Sequence, residues 1–307
     1  MNEISMKAVG QRIFGGPEVL ETVEVARPEP GPGEVLVRVA AASVNAADWK
    51  IRAGLIAKFG PPPFTLGFDV SGTVAEVGAD VTGYRPGDEV YGMVLGRSGA
   101  YAEYVVLPAD FVAPKPASLD HAQAAALPTA VLTAWQALRE VKPGQRVLVH
   151  AAAGGVGHLA VQIAKALGAH VTGTARAANH DFLRGLGADE LIDYTTTDFT
   201  STVGEVDVVF DLVGGDYLTR SLAILHPHGR LIDAQGEEPL DDPRFHRLYV
   251  TPSGTDLREV SALVDRGQLR VEVERVMSMA DAAEAHKLSE SGRVRGKIVL
   301  IPWDAAE

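Results

Sequence analysis

The chain contains no cysteine. That absence excludes disulfides, thiolate catalysis and every cysteine-bearing zinc site. No apolar run approaches the roughly 18 residues of a membrane-crossing helix, and the first ten residues, MNEISMKAVG, lack the apolar core of a signal peptide. The expectation is a cytoplasmic protein with no membrane partner. Positive charge is also short: 28 Lys and Arg stand against 40 Asp and Glu, a formal net charge of −12. So acidic a chain repels a phosphate backbone at long range, so nucleic acid is not an expected partner, although a local cradle for one small phosphate is compatible. What is present is ordinary for a globular protein: 307 residues, 46% hydrophobic and 22% charged. Such a chain has room for one large domain or two ordinary ones, and it is not a disordered tail, a collagen-like repeat or a coiled coil.

Residues 1–115 carry short β patterns broken by Gly and Pro, at Met6–Ile13, Glu34–Val44, Val70–Val77 and Glu103–Leu107. This spacing predicts an irregular barrel. From near Leu119 to Gly267 apolar strands alternate with helical stretches. Strands are expected at Arg146–Ala152, His170–Ala175, Glu190–Tyr194, Val206–Val213 and Arg230–Ala234, with helices between them. That alternation predicts an α/β domain with a doubly wound parallel sheet. Gln268–Met279, a helix at Ala280–Ser289 and a strand at Lys297–Ile301 read as a return to the first domain. The expected division is 1–120 with 268–307, and 121–267.

The most informative stretch is Arg146-Val-Leu-Val-His-Ala-Ala-Ala-Gly-Gly-Val-Gly-His158. Ala152, Gly154 and Gly157 fit the dinucleotide fingerprint, with Ala in the first position. The first permits a tight turn, the second lets backbone approach a pyrophosphate, and the third packs helix on strand. Amides near Gly155 and Val156 would meet the phosphates with the helix dipole behind them. A glycine pattern alone is weak, but this one follows a β run and opens a 3.6-period helix. The second strand ends Val171-Thr-Gly-Thr-Ala-Arg176, with no acid before Asp181 to hold a ribose 2′-hydroxyl. Arg176, beside Thr174 and Ala175, offers a charged fork to a 2′-phosphate, which favours NADP(H) over NAD. The plainer reading is a solvated surface arginine.

Ordered blocks along nearly the whole chain carry a resemblance. They include Phe14-Gly-Gly-Pro-Glu-Val-Leu20, Val44-Asn-Ala-Ala-Asp48, Gly67-Phe-Asp-Val-Ser-Gly-Thr-Val-Ala-Glu-Val-Gly78, Arg85-Pro-Gly-Asp-Glu-Val-Tyr-Gly92, Gly99-Ala-Tyr-Ala-Glu-Tyr104, Leu132-Thr-Ala-Trp135, Leu186-Gly-Ala-Asp189 and Arg295-Gly-Lys-Ile-Val-Leu300. The sequence resembles the zinc-independent, quinone oxidoreductase-like branch of the medium-chain dehydrogenase/reductase superfamily. The resemblance implies a GroES-like β-rich catalytic domain, a Rossmann domain and an active site in the cleft between them. Zinc-dependent relatives carry an early Cys and a Gly-His-Glu turn, where this chain has Asn45 and Gly67-Phe68-Asp69. No zinc ligand set can be assembled from these. Of nine histidines only His226 and His228 are close neighbours, and they read as loop residues rather than metal ligands.

Without a metal to polarise an ordinary carbonyl, a quinone or conjugated enone is the feasible hydride acceptor, because a few hydrogen bonds can stabilise the charge that develops on its oxygen. By resemblance Asn45 is the active-site Asn near nicotinamide or substrate; its plainer role is to cap a turn. Asp48 would orient Asn45 or Lys50, or cap the following helix. Relatives often have a Tyr soon after the Asn, but Trp49 and Lys50 stand there, leaving Lys50 or solvent as proton source. Thr133 matches a cofactor-facing Thr, and Tyr194 a Tyr near the adenosine 2′-phosphate. Val213–Gly214 and Ala234–Gln235 end strands where ligands bind doubly wound sheets. Tyr249 and Val250 line the nicotinamide pocket or are simply core. Lys297 either reaches the cofactor or, on the plainer and preferred reading, is an ordinary lysine opening a strand. Glu237-Glu238 with Asp241-Asp242 is read as a solvated loop.

The sequence therefore predicts an NADPH-dependent quinone or enone oxidoreductase acting on a small molecule. A trans-acting enoyl reductase of a lipid or polyketide pathway is the first alternative, with Arg244, Arg247 and Arg293 as a docking patch. A non-catalytic NADPH-binding protein is the second. A homodimer is expected by analogy.

Overall fold

The structure is a computed structural model that describes residues 4–236 and 239–303. The Gly- and Pro-broken first part folds into short strands: β1 (Ser5–Gln11), β2 (Glu21–Ala26), β3 (Glu34–Val44), β4 (Phe64–Thr65), β5 (Asp69–Val77), β6 (Glu89–Met93), β7 (Tyr104–Pro108) and β8 (Val112–Pro114). β1 pairs antiparallel with β2 and β4 in a small sheet. β3 is the axis of a larger one. One edge takes β5 along most of its length, with Val37 opposite Val74, while β7 pairs with the first part of the other edge. Val35, Val37, Val70, Val74, Val90 and Leu107 are buried. Branched residues suit a pleated surface that is covered by its neighbours. α1 (Ala46–Arg52) begins directly where β3 ends, with Asn45 at its N-cap.

α2 (His121–Ala125) and α3 (Pro128–Leu138) lead to the second region. There β9 (Arg146–Val149), β10 (His170–Thr174), β11 (Glu190–Ile192), β12 (Val206–Asp211), β13 (Leu225–Asp233) and β14 (Phe245–Arg247) alternate with α4 (Gly157–Ala166), α5 (His180–Gly185) and α6 (Asp216–Leu222). The sheet is parallel throughout, in the order β11-β10-β9-β12-β13-β14. The chain winds one way from β9 to β11 and the other way from β12 to β14. The switch point is thus at β9, where such sheets bind ligands beyond the strand ends. α4 is buried from Gly157 to Ala164. No helix among the described residues is long and apolar enough to cross a membrane.

The chain ends with α7 (Gly254–Asp265), β15 (Val273–Ser278), α8 (Ala282–Glu290) and β16 (Lys297–Ile301). β16 completes the large sheet by pairing antiparallel with the last residues of β3 and parallel with β15. Two compact units result: 1–129 with 252–265 and 271–307, and 130–251 with 266–270. The expected boundaries differ in that α2 and α7 both belong to the first unit. A Cβ on Gly254 would lie 2.2 Å from the Val112 carbonyl oxygen, so only glycine permits that approach. The Tyr91 hydroxyl donates to the Leu257 carbonyl at 2.7 Å and bonds Ser261 at 2.8 Å. α7 buries one face, and helical periodicity cannot show which domain covers such a face.

Candidate active site and nucleotide turn

Between β9 and α4 the backbone makes the tight turn that the small residues predict. A Cβ on Gly157 would sit 2.4 Å from the Ala151 carbonyl oxygen and 2.7 Å from the Ala152 Cα, so helix and strand approach too closely for any side chain. Gly154 is different. Its added Cβ would meet only the Ala151 oxygen, at 3.3 Å, so the protein's own packing leaves that place open, as a pyrophosphate approaching the backbone requires. Gly155 and Val156 are half-buried, and Val156 is the N-cap of α4 with no side-chain cap. The His158 and Leu159 amides bond the Gly154 and Val156 carbonyls, so an anion would be met by the amides of residues 155–157. These features fit a dinucleotide.

The turn rests on a group the sequence reading missed. Ala151 has a positive φ of 49°, and its amide donates to the Thr174 hydroxyl at 3.3 Å. His150 is fully buried, with Nδ1 3.2 Å from that hydroxyl and Nε2 3.1 Å from the Ser221 hydroxyl. Burial, helped by Arg220, pushes its pKa down to about 3, so the ring is neutral. Thr174 and Ala175, expected as cofactor contacts, are buried, and the Ala175 amide is paired with the Ile192 carbonyl. They hold the turn and strand from within. Arg176 is exposed, and its Nε donates to the Tyr194 hydroxyl at 3.0 Å. The two residues expected beside a 2′-phosphate are therefore brought together. Asp193, the nearest acid to this pair in sequence, accepts from the Thr195 hydroxyl and amide and from the Ala177 amide.

Two further strand ends are capped by their own aspartates. Asp211 accepts from the Val213 and Gly214 amides at 3.1 and 2.9 Å. Asp233 accepts from the Gln235 and Gly236 amides, and Ala234 donates to the Asp211 carbonyl. The amides of Val213, Gly214, Ala234 and Gln235 are thus committed within the protein, and the Gln235 side chain donates to the Leu212 carbonyl. Thr133 is buried on α3, whereas Tyr249 is 63% exposed and so is not core. Of the acidic loop, Glu237 and Glu238 lie outside the described residues, and Asp242 is paired with Arg244 at 2.8 Å.

In the first unit the end of β3, the start of β5 and the start of β16 bring a buried polar cluster together. The Asn45 amide is clamped at both ends: Oδ1 accepts from Lys297 Nζ at 2.5 Å, and Nδ2 donates to Asp69 Oδ2 at 2.8 Å. Lys297 Nζ also donates to the Val44 carbonyl at 2.9 Å and lies 3.6 Å from Asp69. Asp69 is completely buried and accepts in addition from the Ser43 hydroxyl and the Thr129 amide. Burial pulls the Lys297 pKa down, against the pull of Asp69 and Asp48. Because a lysine only donates and a carboxylate only accepts, the orientation of the Asn45 amide is fixed. One of its two amide protons goes to Asp69, and the other is available to a carbonyl oxygen. Lys297, read as an ordinary strand-opening residue, is therefore a buried partner of the site. Asp69 was not singled out as a site residue; it opens β5, a strand that also carries Ser71, Thr73 and Glu76, so its residue type gave no signal of burial.

Asp48 stands one turn into α1 and ties two segments together: Oδ2 accepts the Asn45 amide at 2.8 Å and Oδ1 the Gly67 amide at 3.0 Å. Its pKa is pushed up to about 7, first by burial and then by Asp69, against the two amides and Lys297. It serves both as helix cap and as orienter of Asn45. Lys50 holds its ammonium over the Trp49 ring, 5.8 Å from the centroid. Zinc does not fit this donor set: Phe68 has no ligand atom, the Asn45 amide is taken at both ends, and the cation beside Asp69 is Lys297. Among the described residues no three His, Asp or Glu side chains gather as a metal would need.

Residues 31–117 match the alcohol dehydrogenase GroES-like domain, and residues 186–300 match the zinc-binding dehydrogenase family. The chain is 34% identical to the chloroplastic quinone-oxidoreductase QR1 of Triphysaria versicolor, over 97% of this chain and 98% of that protein. It is 33% identical to the 2-methylene-furan-3-one reductase of Solanum lycopersicum, over 97% of this chain and 79% of that protein. Its fold superimposes on the quinone oxidoreductase from Coxiella burnetii with a TM-score of 0.92 and 40% identity, covering 97% of this chain and 99% of that one.

Proposed function

This chain belongs to the quinone oxidoreductase-like branch of the medium-chain dehydrogenase/reductase superfamily, and from that premise we propose that it is an NADPH-dependent reductase of quinones or α,β-unsaturated carbonyls that works without zinc. The observation that carries the reading is the clamped Asn45 amide. A neutral donor held by Lys297 and Asp69 is pre-aimed, so it loses no reorganisation energy when negative charge grows on an acceptor oxygen. Lys297 places its ammonium behind that amide, beside Asp69. When bound, the reduced nicotinamide supplies the hydride. Gly154, Gly155 and Val156 would hold its pyrophosphate, and Arg176 with Tyr194 the 2′-phosphate, by the charged fork and a hydroxyl.

The proton that completes the reduction comes from solvent or from Lys50, and a Lys50→Met variant separates the two sources. Arg244 is turned onto Asp242, and Arg247 Nη2 is 3.4 Å from the Asp233 carboxylate. Neither is poised as a docking patch for a carrier protein, and the exposed Arg293 alone does not make one, so a free small-molecule acceptor is the preferred substrate. A cytoplasmic homodimer completes the proposal. β14 is an edge strand of its sheet, the kind of edge that pairs with a second copy, and light scattering in solution tests the dimer.

The deciding experiment follows the absorbance of NADPH and of NADH, anaerobically and after chelation, with quinones, enones, 2-alkenals and an enoyl thioester as acceptors. Turnover of quinones or enones with NADPH preferred supports the proposal. Turnover of the thioester alone favours the enoyl reductase reading, and tight NADPH binding without turnover favours a non-catalytic protein.

A further inference from the structure

Beneath α1 lies a second buried polar chain, which meets the Asn45 cluster only at Asp48 and whose other members have no part in the reaction described above. Arg52, His286, Tyr101 and Asp48 are each at most 2% exposed. Arg52 Nη1 lies 3.3 Å from His286 Nδ1, and His286 Nε2 lies 3.4 Å from the Tyr101 hydroxyl. The Tyr101 hydroxyl in turn bonds the Asp48 side chain. Arg52 is itself anchored to the Gly15 carbonyl at 3.1 Å and to Glu290, which is partly exposed.

The direction of this chain follows from the donor inventory alone. Arginine has only donors, so His286 Nδ1 must present its lone pair, and a neutral ring then carries its proton on Nε2. That proton points at the Tyr101 oxygen. Tyr101, receiving it, turns its own proton to the Asp48 carboxylate, which already accepts the Asn45 and Gly67 amides. A charged His286 would set two donors against each other at Arg52. Burial and Arg52 both push the His286 pKa down, to about 3, which keeps the ring neutral. Burial, with Asp48 and Asp69 beside it, raises that of Tyr101, which keeps its proton in place.

We propose that Arg52, His286 and Tyr101 are positioning residues, forming a one-way donor chain that favours the carboxylate form of Asp48 and keeps it in place beneath Asn45. The ionised carboxylate accepts every donor aimed at it, whereas a protonated one must give up one contact and loosen either Asn45 or the Gly67 turn. The other ionisable groups facing Asp48 are Asp69 on β5, which favours its proton, and Lys297 on β16, which opposes it. Only the link to catalysis rests on the reductase reading; the donor chain itself does not.

The test is a titration of the Asp48 carboxyl carbon by NMR in the whole protein, with the signal assigned by its loss in Asp48→Asn. It needs no substrate. Tyr101→Phe removes one donor to the carboxylate, so the midpoint of Asp48 is expected to rise by roughly one pH unit. His286→Leu is expected to raise it by less, and His286→Gln, whose amide still donates toward Tyr101, to restore it. These variants also serve if Tyr101→Phe does not fold. In the quinone assay the acid limb of kcat/KM should move with the midpoint while the basic limb stays. An unmoved midpoint in folded Tyr101→Phe or His286→Leu overturns the proposal. A moved midpoint in a protein that reduces no acceptor leaves the donor chain standing and removes the reductase reading.

Discussion

The nucleotide turn and the Asn45 cluster solve the same problem, placing polar groups for a ligand, by opposite means. The turn is local: five small residues within six positions shape the backbone, and main-chain amides do the presenting. The Asn45 cluster is distributed: residues 45, 48, 69 and 297 come from the ends of different strands and from α1, and side chains do the presenting. A local device tolerates almost anything except bulk. A distributed device tolerates shape changes at its rim, but it cannot lose one member without stranding the others in a region closed to water. His150 shows the limit of this contrast. Even the local turn is supported from below by a buried side chain drawn from the strand beneath it.

The largest effect should come from breaking the distributed device. Lys297→Met leaves Asp69 without its buried cation and Asn45 Oδ1 without a donor, at a cost of about 3–5 kcal/mol of stability. Urea denaturation measures it, and a cost below about 1 kcal/mol would mean that the cluster is not a unit.

Next is pH. The folded Asp48 pKa, about 7, lies above its unfolded value near 3.8. Its contribution to stability is therefore fully present below the unfolded value, is lost as pH rises from near 4 to near 7, and is level beyond, by on the order of 4 kcal/mol. His150 and His286 have the opposite sign. Their folded values are depressed to about 3, so their contribution is lost as pH falls from near 6.5 toward 3. Denaturation of the wild type and Asp48→Asn at several pH values should give curves that diverge between pH 4 and 7. Parallel curves would show that Asp48 titrates normally.

Breaking the local device comes third. Gly157→Val forces a Cβ into the Ala151 carbonyl, and NADPH affinity should fall on the order of 100-fold or more, about 3 kcal/mol. Gly154→Val leaves the protein's packing nearly intact and should harm nucleotide binding while sparing stability. Equal stability losses in the two would show that the open space at Gly154 is not for a phosphate. The smallest effect sharpens the comparison. Arg176→Ala should weaken NADPH roughly tenfold and NADH little, as one charge-assisted contact to phosphate implies. Equal weakening of both, read by fluorescence titration, removes the 2′-phosphate assignment.

Much of this was legible from the chain alone. β3 spans the residues its β pattern marks, and β9 to β12 of the parallel sheet begin where their apolar runs do, whereas β13 starts earlier than expected and β14 was not expected at all. Gly157 is required where the fingerprint places it, and Arg176 and Tyr194, 18 positions apart, do meet. What escaped was of two kinds. The amides of Val213 and Gly214 were expected to face a ligand, but Asp211 caps them, because a strand-end carboxylate satisfies the nearest donors first. α7 was assigned to the wrong neighbour, because a helix period records only that one face is covered.

Sequence by itself determined most of the elements, the parallel sheet and the tight glycine turn, because each depends on periodicity or on residues a few positions apart. Only the tertiary structure decided that Lys297 is a buried partner of Asn45 rather than a surface lysine, that Asp69 belongs to the site, and that Arg52, His286 and Tyr101 converge on Asp48. Those groups lie up to about 250 residues apart in the chain, and their burial, which sets their charges and their bonds, exists only once β16 has closed against β3.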